Sequence, residues 1–210
     1  MTQDVKEAAL ARADLCRFLS ACYYEPTADF VDADLFGSII AAATVLDPDL
    51  AVRARRLATA FAVQGVDELL VDYTRLFLGP LKSLASPYGS SWLSKPSSEA
   101  DDPTEAIREL YAQGGFDLGD DFADLPDHVG VELEFLYGLL FNQHQAGQSG
   151  NTDELTPSRS LQQRLLIEHL GAWIGSFTEA VKAHAETAFY RELAELTERF
   201  IRVETDAFSS

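Results

Sequence analysis

The chain has few cationic and few sulfur-bearing residues. Sixteen lysines and arginines stand against 34 aspartates and glutamates in 210 residues, a formal charge of −18 with histidine neutral. Phosphate backbones require a basic footprint and anionic membranes attract basic segments, so this balance argues against both as partners. An arginine-bearing peptide would instead be steered toward such a surface, although acidic surfaces commonly serve solubility alone. There are only two cysteines. Cys16 and Cys22 match neither a CxxC redox pair nor a zinc spacing, and they read as buried thiols of one helix. Long apolar runs are missing too. The stretch Phe36 to Leu46 contains Gly37, Ser38 and Thr44 and is too short to span a bilayer. The opening residues mix Asp4, Lys6, Glu7 and Arg12 with alanines and lack a signal core. A cytoplasmic protein without stable membrane insertion is expected.

What is present is helical periodicity. Apolar residues make up 47% of the chain, enough for a folded core in a single domain spanning 1–210. Between Val5 and Tyr24, Leu10, Leu15, Phe18, Leu19 and Cys22 recur at three- and four-residue steps, and Pro26 closes the helix. Further helices are expected over Ala33 to Leu46, from Pro48 to Val63, and from Val66 to Leu78, the last stopped by Gly79-Pro80. Breakers and serines crowd Leu81 to Pro103. Helix resumes over Thr104 to Gln113, and an acidic loop runs from Phe116 to Asp127. His128 to Gln145 is apolar on most sides and reads as a central helix. A polar loop over Ala146 to Pro157 and helices over Arg159 to Ala180 and Thr187 to Val203 complete the chain. No β-alternation is long enough for a sheet. The expected fold is an all-α single-domain bundle with two long loops, about 79–103 and 146–157.

Catalysis has little to stand on. None of His128, His144, His169 and His184 has a glutamate three residues before it, as a di-metal bundle would need. The Gly79-Pro80-Leu81-Lys82-Ser83 run lacks a P-loop frame, and there is no GxSxG elbow. His128 and Glu132, four apart, could join loop acids in a metal carrier, but the pair alone is weak and a salt-bridged helix start is the preferred reading. Arg55-Arg56-Leu57 looks like a twin-arginine motif, but it lies among helix formers and reads as a solvated helix face. No enzyme activity, cofactor or metal is expected.

Binding is better supported. Tyr73 to Trp92 reads YTRLFLGPLKSLASPYGSSW. It sets Tyr73, Leu76 and Phe77 one turn apart and then offers Pro87, Tyr88 and Trp92 in a breaker-rich loop. Aromatics and prolines so placed either pack on the helices beneath or form a peptide groove. The second constellation is Leu125-Pro126-Asp127-His128. Pro126 fixes the chain before a helix, Asp127 stands where an N-cap carboxylate is favoured, and His128 opens the first turn.

These two constellations, in this order, resemble the TorD/DmsD/NarJ group of redox-enzyme maturation chaperones. The resemblance covers nearly the whole chain, from the opening helix to FYRELAEL, Phe189 to Leu196. It implies an all-helical fold of TorD type. It also implies a cytoplasmic chaperone that binds the twin-arginine leader of a molybdoenzyme precursor and holds the catalytic subunit until its cofactor is inserted. The peptide-binding positions it implies are Tyr73, Leu76, Phe77, Gly79, Pro80, Pro87, Tyr88, Trp92, Pro126, Asp127 and His128. One family form places glutamate four residues before the opening aromatic; here that position is Leu69, with Glu68 beside it. SPYGSSW is similar to the DmsD branch, and LPDH followed by LEFLYGLL to NarJ, so the branch stays open. Between Glu99 and Asp127 the chain has ten acids against one basic residue, Arg108. Such a run suits the two guanidinium groups of a leader, and an apolar groove lined by Tyr73, Phe77 and Trp92 suits its hydrophobic stretch. The rival reading is a helical adaptor that binds a folded redox-enzyme subunit without reading a leader.

Overall fold

The helix boundaries follow from their capping chemistry. The computed structural model describes residues 3–27, 34–79, 82–93, 102–119, 124–150 and 155–208. Helix α1 spans Gln3–Cys22 and α2 spans Leu35–Leu46. At the start of α3, Pro48–Tyr73, Asp47 accepts hydrogen bonds from the amides of Asp49 and Leu50, and Pro48 occupies the first turn, where no donor is needed. Gly65 interrupts α3 with φ +69°, which agrees with the break expected between Val63 and Val66. A π-helical turn, Thr74–Leu78, then carries the chain to Gly79. Asp102 and Pro103 repeat the cap-and-proline start at α4, Pro103–Gln113.

Helix α5, Val129–Ser149, is the central helix. Val129, Val131, Leu133, Leu136 and Phe135 are all at most 1% exposed, and α1 packs along it. Helices α6, Leu155–Glu168, α7, Leu170–His184, and α8, Ala188–Asp206, follow. α8 packs on α3 and α7, α6 on α5, and α2 bridges α1 and α3. The architecture is all-α. Among the described residues the only β-type pairing is a single bridge between Tyr88 and His128.

Two expectations are corrected. The polar stretch 146–157 is not one loop: α5 continues to Ser149 and α6 begins at Leu155. Ala146 is only 2% exposed, so a buried face holds the helix together where composition suggested solvent. The helix expected over Arg159 to Ala180 is in fact two. The backbone leaves helical geometry at His169, with φ −123° and ψ −111°, and α7 turns there to bring Trp173 under α5.

The aromatic core lies directly beneath the first motif. Phe77 is flanked by Tyr73, Tyr190, Phe177 and Tyr23, with ring centroids at 5.2, 5.4, 6.1 and 6.3 Å. The Tyr23 hydroxyl donates to Thr197 Oγ1 at 3.0 Å, so this large ring is buried with its polar end satisfied. Cys16 and Cys22 are free and fully buried. Arg55 and Arg56 are exposed on α3, the solvated face that their neighbours implied.

Candidate functional site

Backbone hydrogen bonds fasten the two motifs to each other. Val129 N–H donates to Pro87 O at 2.8 Å, and Gly89 N–H donates to Asp127 O at 2.9 Å. The 86–92 segment is thereby attached to the start of α5. Side chains extend the seam. Ser90 N–H donates to Asp127 Oδ2 at 2.8 Å, Tyr88 Oη to Asp124 Oδ1 at 2.6 Å, and Tyr111 Oη to the Pro126 carbonyl at 2.7 Å. Trp92 folds back and donates from Nε1 to Ser86 O at 2.9 Å. Gly89 is needed for this approach, because a Cβ there would lie 2.8 Å from Trp173 Nε1 and 3.3 Å from Glu132 Oε1.

The expected cap at Asp127 is corrected. The N-cap of α5 is His128, whose Nδ1 accepts from Gly130 N–H at 3.0 Å. Asp127 is displaced from capping because its carboxylate serves Ser90. The bond assigns the His128 proton to Nε2. The ring stacks on Tyr24 at 5.3 Å and meets the edge of Tyr88 at 5.5 Å. Burial lowers the His128 pKa, opposed by the charges of Asp124 and Asp127. A histidine with a depressed folded pKa binds fewer protons than the unfolded chain just below about pH 6.5, so its contribution to stability falls as pH drops through that range. His169, also lowered by burial, acts with the same sign. His128→Asn keeps a capping oxygen and removes the titration. Thermal melts between pH 5 and 7 should therefore show a shallower loss for the variant than for the wild type; parallel curves would oppose this assignment.

Around His128 the partly exposed groups are phenols and carboxylates. Tyr24, Tyr88, Asp124 and Glu134 are half-buried, and Glu25 is exposed. Burial, then the charges of Asp124 and Glu25, push the Tyr73 phenol up to about 12. The Tyr24 phenol is raised by burial and by Glu134 and Asp124, and that of Tyr88 by burial and by its bond to Asp124. Ser20 Oγ holds Glu134 Oε1 at 3.2 Å and the Gly130 carbonyl at 2.8 Å. The carboxylates of Asp124 and Glu134 beside the partly exposed phenols of Tyr24 and Tyr88 form a surface suited to a cation, above all a planar guanidinium. Tyr24, Glu25, Asp124 and Glu134 were not singled out from the sequence. The signal for Tyr24 was faint, an aromatic left over after the last turn of α1.

The candidate residues occupy different depths. Tyr88 and Trp92 are half-buried, while Tyr73, Pro87, Pro126, Asp127 and His128 are buried along the seam. Leu76 and Phe77, 0% and 3% exposed, belong to the core beneath and not to a surface groove. Gly79 makes the turn that starts the loop, with φ +60°. Pro80 lies outside the described residues, as do Glu99, Asp101, Asp120 and Asp121 of the acidic run. No group of three or more metal-ligating side chains comes together among the described residues. None of their helices is long and apolar enough to cross a membrane.

Comparison with known proteins bears on the same segments. The pattern of the nitrate reductase delta subunit family matches residues 44–179, which include both motifs. The chain belongs to this family. Among the similar relatives of this nitrate reductase delta subunit family member is the chaperone protein TorD of Vibrio parahaemolyticus, 28% identical over 138 residues, 66% of this chain and 63% of the relative. The alignment thus spans less than two thirds of that relative's length. The Aliivibrio fischeri protein of the same name is 29% identical over 147 residues, 68% of this chain and 67% of the relative. That of Shewanella loihica is 24% identical over 220 residues, 99% and 97% of the two lengths. The family member is thus TorD-like.

Proposed function

We propose that this protein is a cytoplasmic chaperone that binds the twin-arginine leader of a molybdoenzyme precursor. It would retain the precursor's catalytic subunit while the cofactor is inserted, before export. The observation that carries the reading is the rim of partly exposed Tyr24 and Tyr88 with Asp124, Glu25 and Glu134 around His128. The names of the TorD relatives support the chaperone part. A guanidinium donates to carboxylates from its edge and stacks aromatic rings on its faces, and both are offered here within one patch. The leader's apolar stretch would run over Tyr88 and Trp92, whose rings are partly exposed.

Titration of the full chain with a synthetic peptide bearing two adjacent arginines before an apolar run tests this directly. Affinity should fall at least tenfold when both arginines are replaced by alanine, and it should weaken between about 0.05 and 0.5 M salt as the rim charges are screened. Equal affinity without the arginines would favour the adaptor reading.

A further inference from the structure

The solvent face of α3 carries apolar side chains that no described residue covers. Val52 and Val63 are 45% and 80% exposed. With Arg56 and Thr59 they recur at three- and four-residue steps, a stripe on the side of the helix opposite the buried Leu50, Ala54 and Leu57. Beside the stripe stands α8, and the two helices bound a cleft of about 670 Å³ that Ala60 and Ala188 also line. Gln64 Oε1 accepts from Phe189 N–H at 2.9 Å and ties the walls together, so the cleft exists before anything enters it. The charges along it are uncommitted. Arg55 and Arg56 are exposed on the α3 wall and Glu192 is half-buried on the α8 wall, and none of the three forms an ion pair among the described residues. Arg53, on the same helix, is by contrast held by Asp49 and Glu195. We propose that this cleft docks an amphipathic helix of a partner protein, with its apolar stripe on Val52 and Val63 and carboxylates along one edge meeting Arg55 and Arg56.

Shape and charge specify the occupant. A hollow takes a convex ligand, whereas a second copy of this chain would present the same hollow, and two hollows meet only at their rims. The stripe from Val52 to Val63 is about 17 Å long, three turns of helix, which suits a helix laid against it. Elsewhere the surface of a chain with charge −18 repels acidic segments, so the arginine pair draws such a segment to this cleft. Glu192 sets which edge faces α8. That edge must be neutral or basic, because a carboxylate there would meet a half-buried carboxylate. None of these residues belongs to the two sequence motifs or to the rim around His128. Docking here is therefore independent of leader binding.

Titration of the full chain with a labelled synthetic helix of about 14 residues, with leucines on one face, glutamates on one edge and glutamines on the other, tests this. Fluorescence anisotropy should show saturable binding, weakened about fivefold when the glutamates become glutamines. Arg55→Glu combined with Arg56→Glu should lose the glutamate helix and gain one that carries lysines in the same places. A purely apolar contact would not follow that exchange of charge. Val63→Asp should weaken the glutamate helix as well. These positions are exposed, so thermal melts should match the wild type and misfolding cannot supply the result. Equal affinity for the glutamate and glutamine helices, or no binding to the wild type, would overturn the proposal. Self-association of the wild type that the double substitution abolishes would also overturn it, since the occupant would then be a second copy. Every variant should still bind the two-arginine peptide; its failure to bind the wild type would count against the leader reading alone.

Discussion

Gly79→Ala is expected to destabilise the chain by about 3–5 kcal/mol and, on the proposed function, to abolish binding of the two-arginine peptide. With φ +60° and ψ 156°, Gly79 adopts a backbone conformation that residues with a Cβ strongly avoid. Space is also lacking, because a Cβ would lie 2.5 Å from the Lys82 carbonyl oxygen and 2.9 Å from Ser83 N. Both obstacles are backbone atoms, which cannot rotate aside as a side chain would. The turn is tied by Gly79 N–H to Thr74 O at 2.7 Å and by Ala85 N–H to Leu76 O at 2.9 Å. Relief of the clash must break these bonds and shift Ala85, Pro87 and Tyr88, and with them the bridge to His128. Thermal melts should fall by roughly 6–20 °C. A variant that melts within 2 °C of the wild type and binds the two-arginine peptide normally would show that the turn does not position the loop.

The dependence on Gly79 explains which parts of the site could be read from sequence. Where local chemistry decides, the reading holds: one helix begins at Pro48, another runs from the end of the breaker-rich segment to Gln113, and Gly79 stops a third. The motif residues were legible because their types and spacing are local as well. Tyr24, Glu25 and Glu134 were not, because they reach the rim only through the packing of α1 against α5. The cap assignment failed for a similar reason. Asp127 is an excellent N-cap by composition, but the Ser90 amide, contributed by a loop 37 residues away, claims its carboxylate. His128 then caps instead. Loop 146–157 failed because burial of Ala146 and His144 on one helix face outweighs the polar residues on the other. Leu76 and Phe77 have the right types for a groove, yet the same apolar character draws them into the core.

The anchor for that core placement yields the second large effect. Asp72, immediately before the first motif, is 2% exposed. Its Oδ2 accepts from Glu186 N–H at 3.0 Å, Thr187 N–H at 2.8 Å and Thr187 Oγ1 at 2.7 Å. Its Oδ1 accepts from Arg75 Nη2 at 2.9 Å, and Arg75 also reaches the His184 carbonyl. One carboxylate thus joins the end of α3 to the turn between α7 and α8. Asp72→Ala leaves three donors of the turn without their acceptor and Arg75 with only the His184 carbonyl and Glu186, at a cost of about 3–5 kcal/mol. Asp72→Asn keeps one oxygen for the turn but points an amide N–H₂ at a cationic donor or at the Thr187 group, so it should lose less, about 2–3 kcal/mol. Denaturant unfolding with an unchanged slope would measure both. Because Tyr73 follows directly, the alanine variant should also weaken peptide binding, whereas changes on the exposed Arg55-Arg56 face should do neither. If Asp72→Ala and Asp72→Asn were both within 1 kcal/mol of wild type, the turn would be held by its other ties, the packing of Phe189 and Tyr190 and the bonds of Arg75 and Arg191 to the His184 and Ala185 carbonyls. The position of Tyr73 would then owe nothing to the carboxylate.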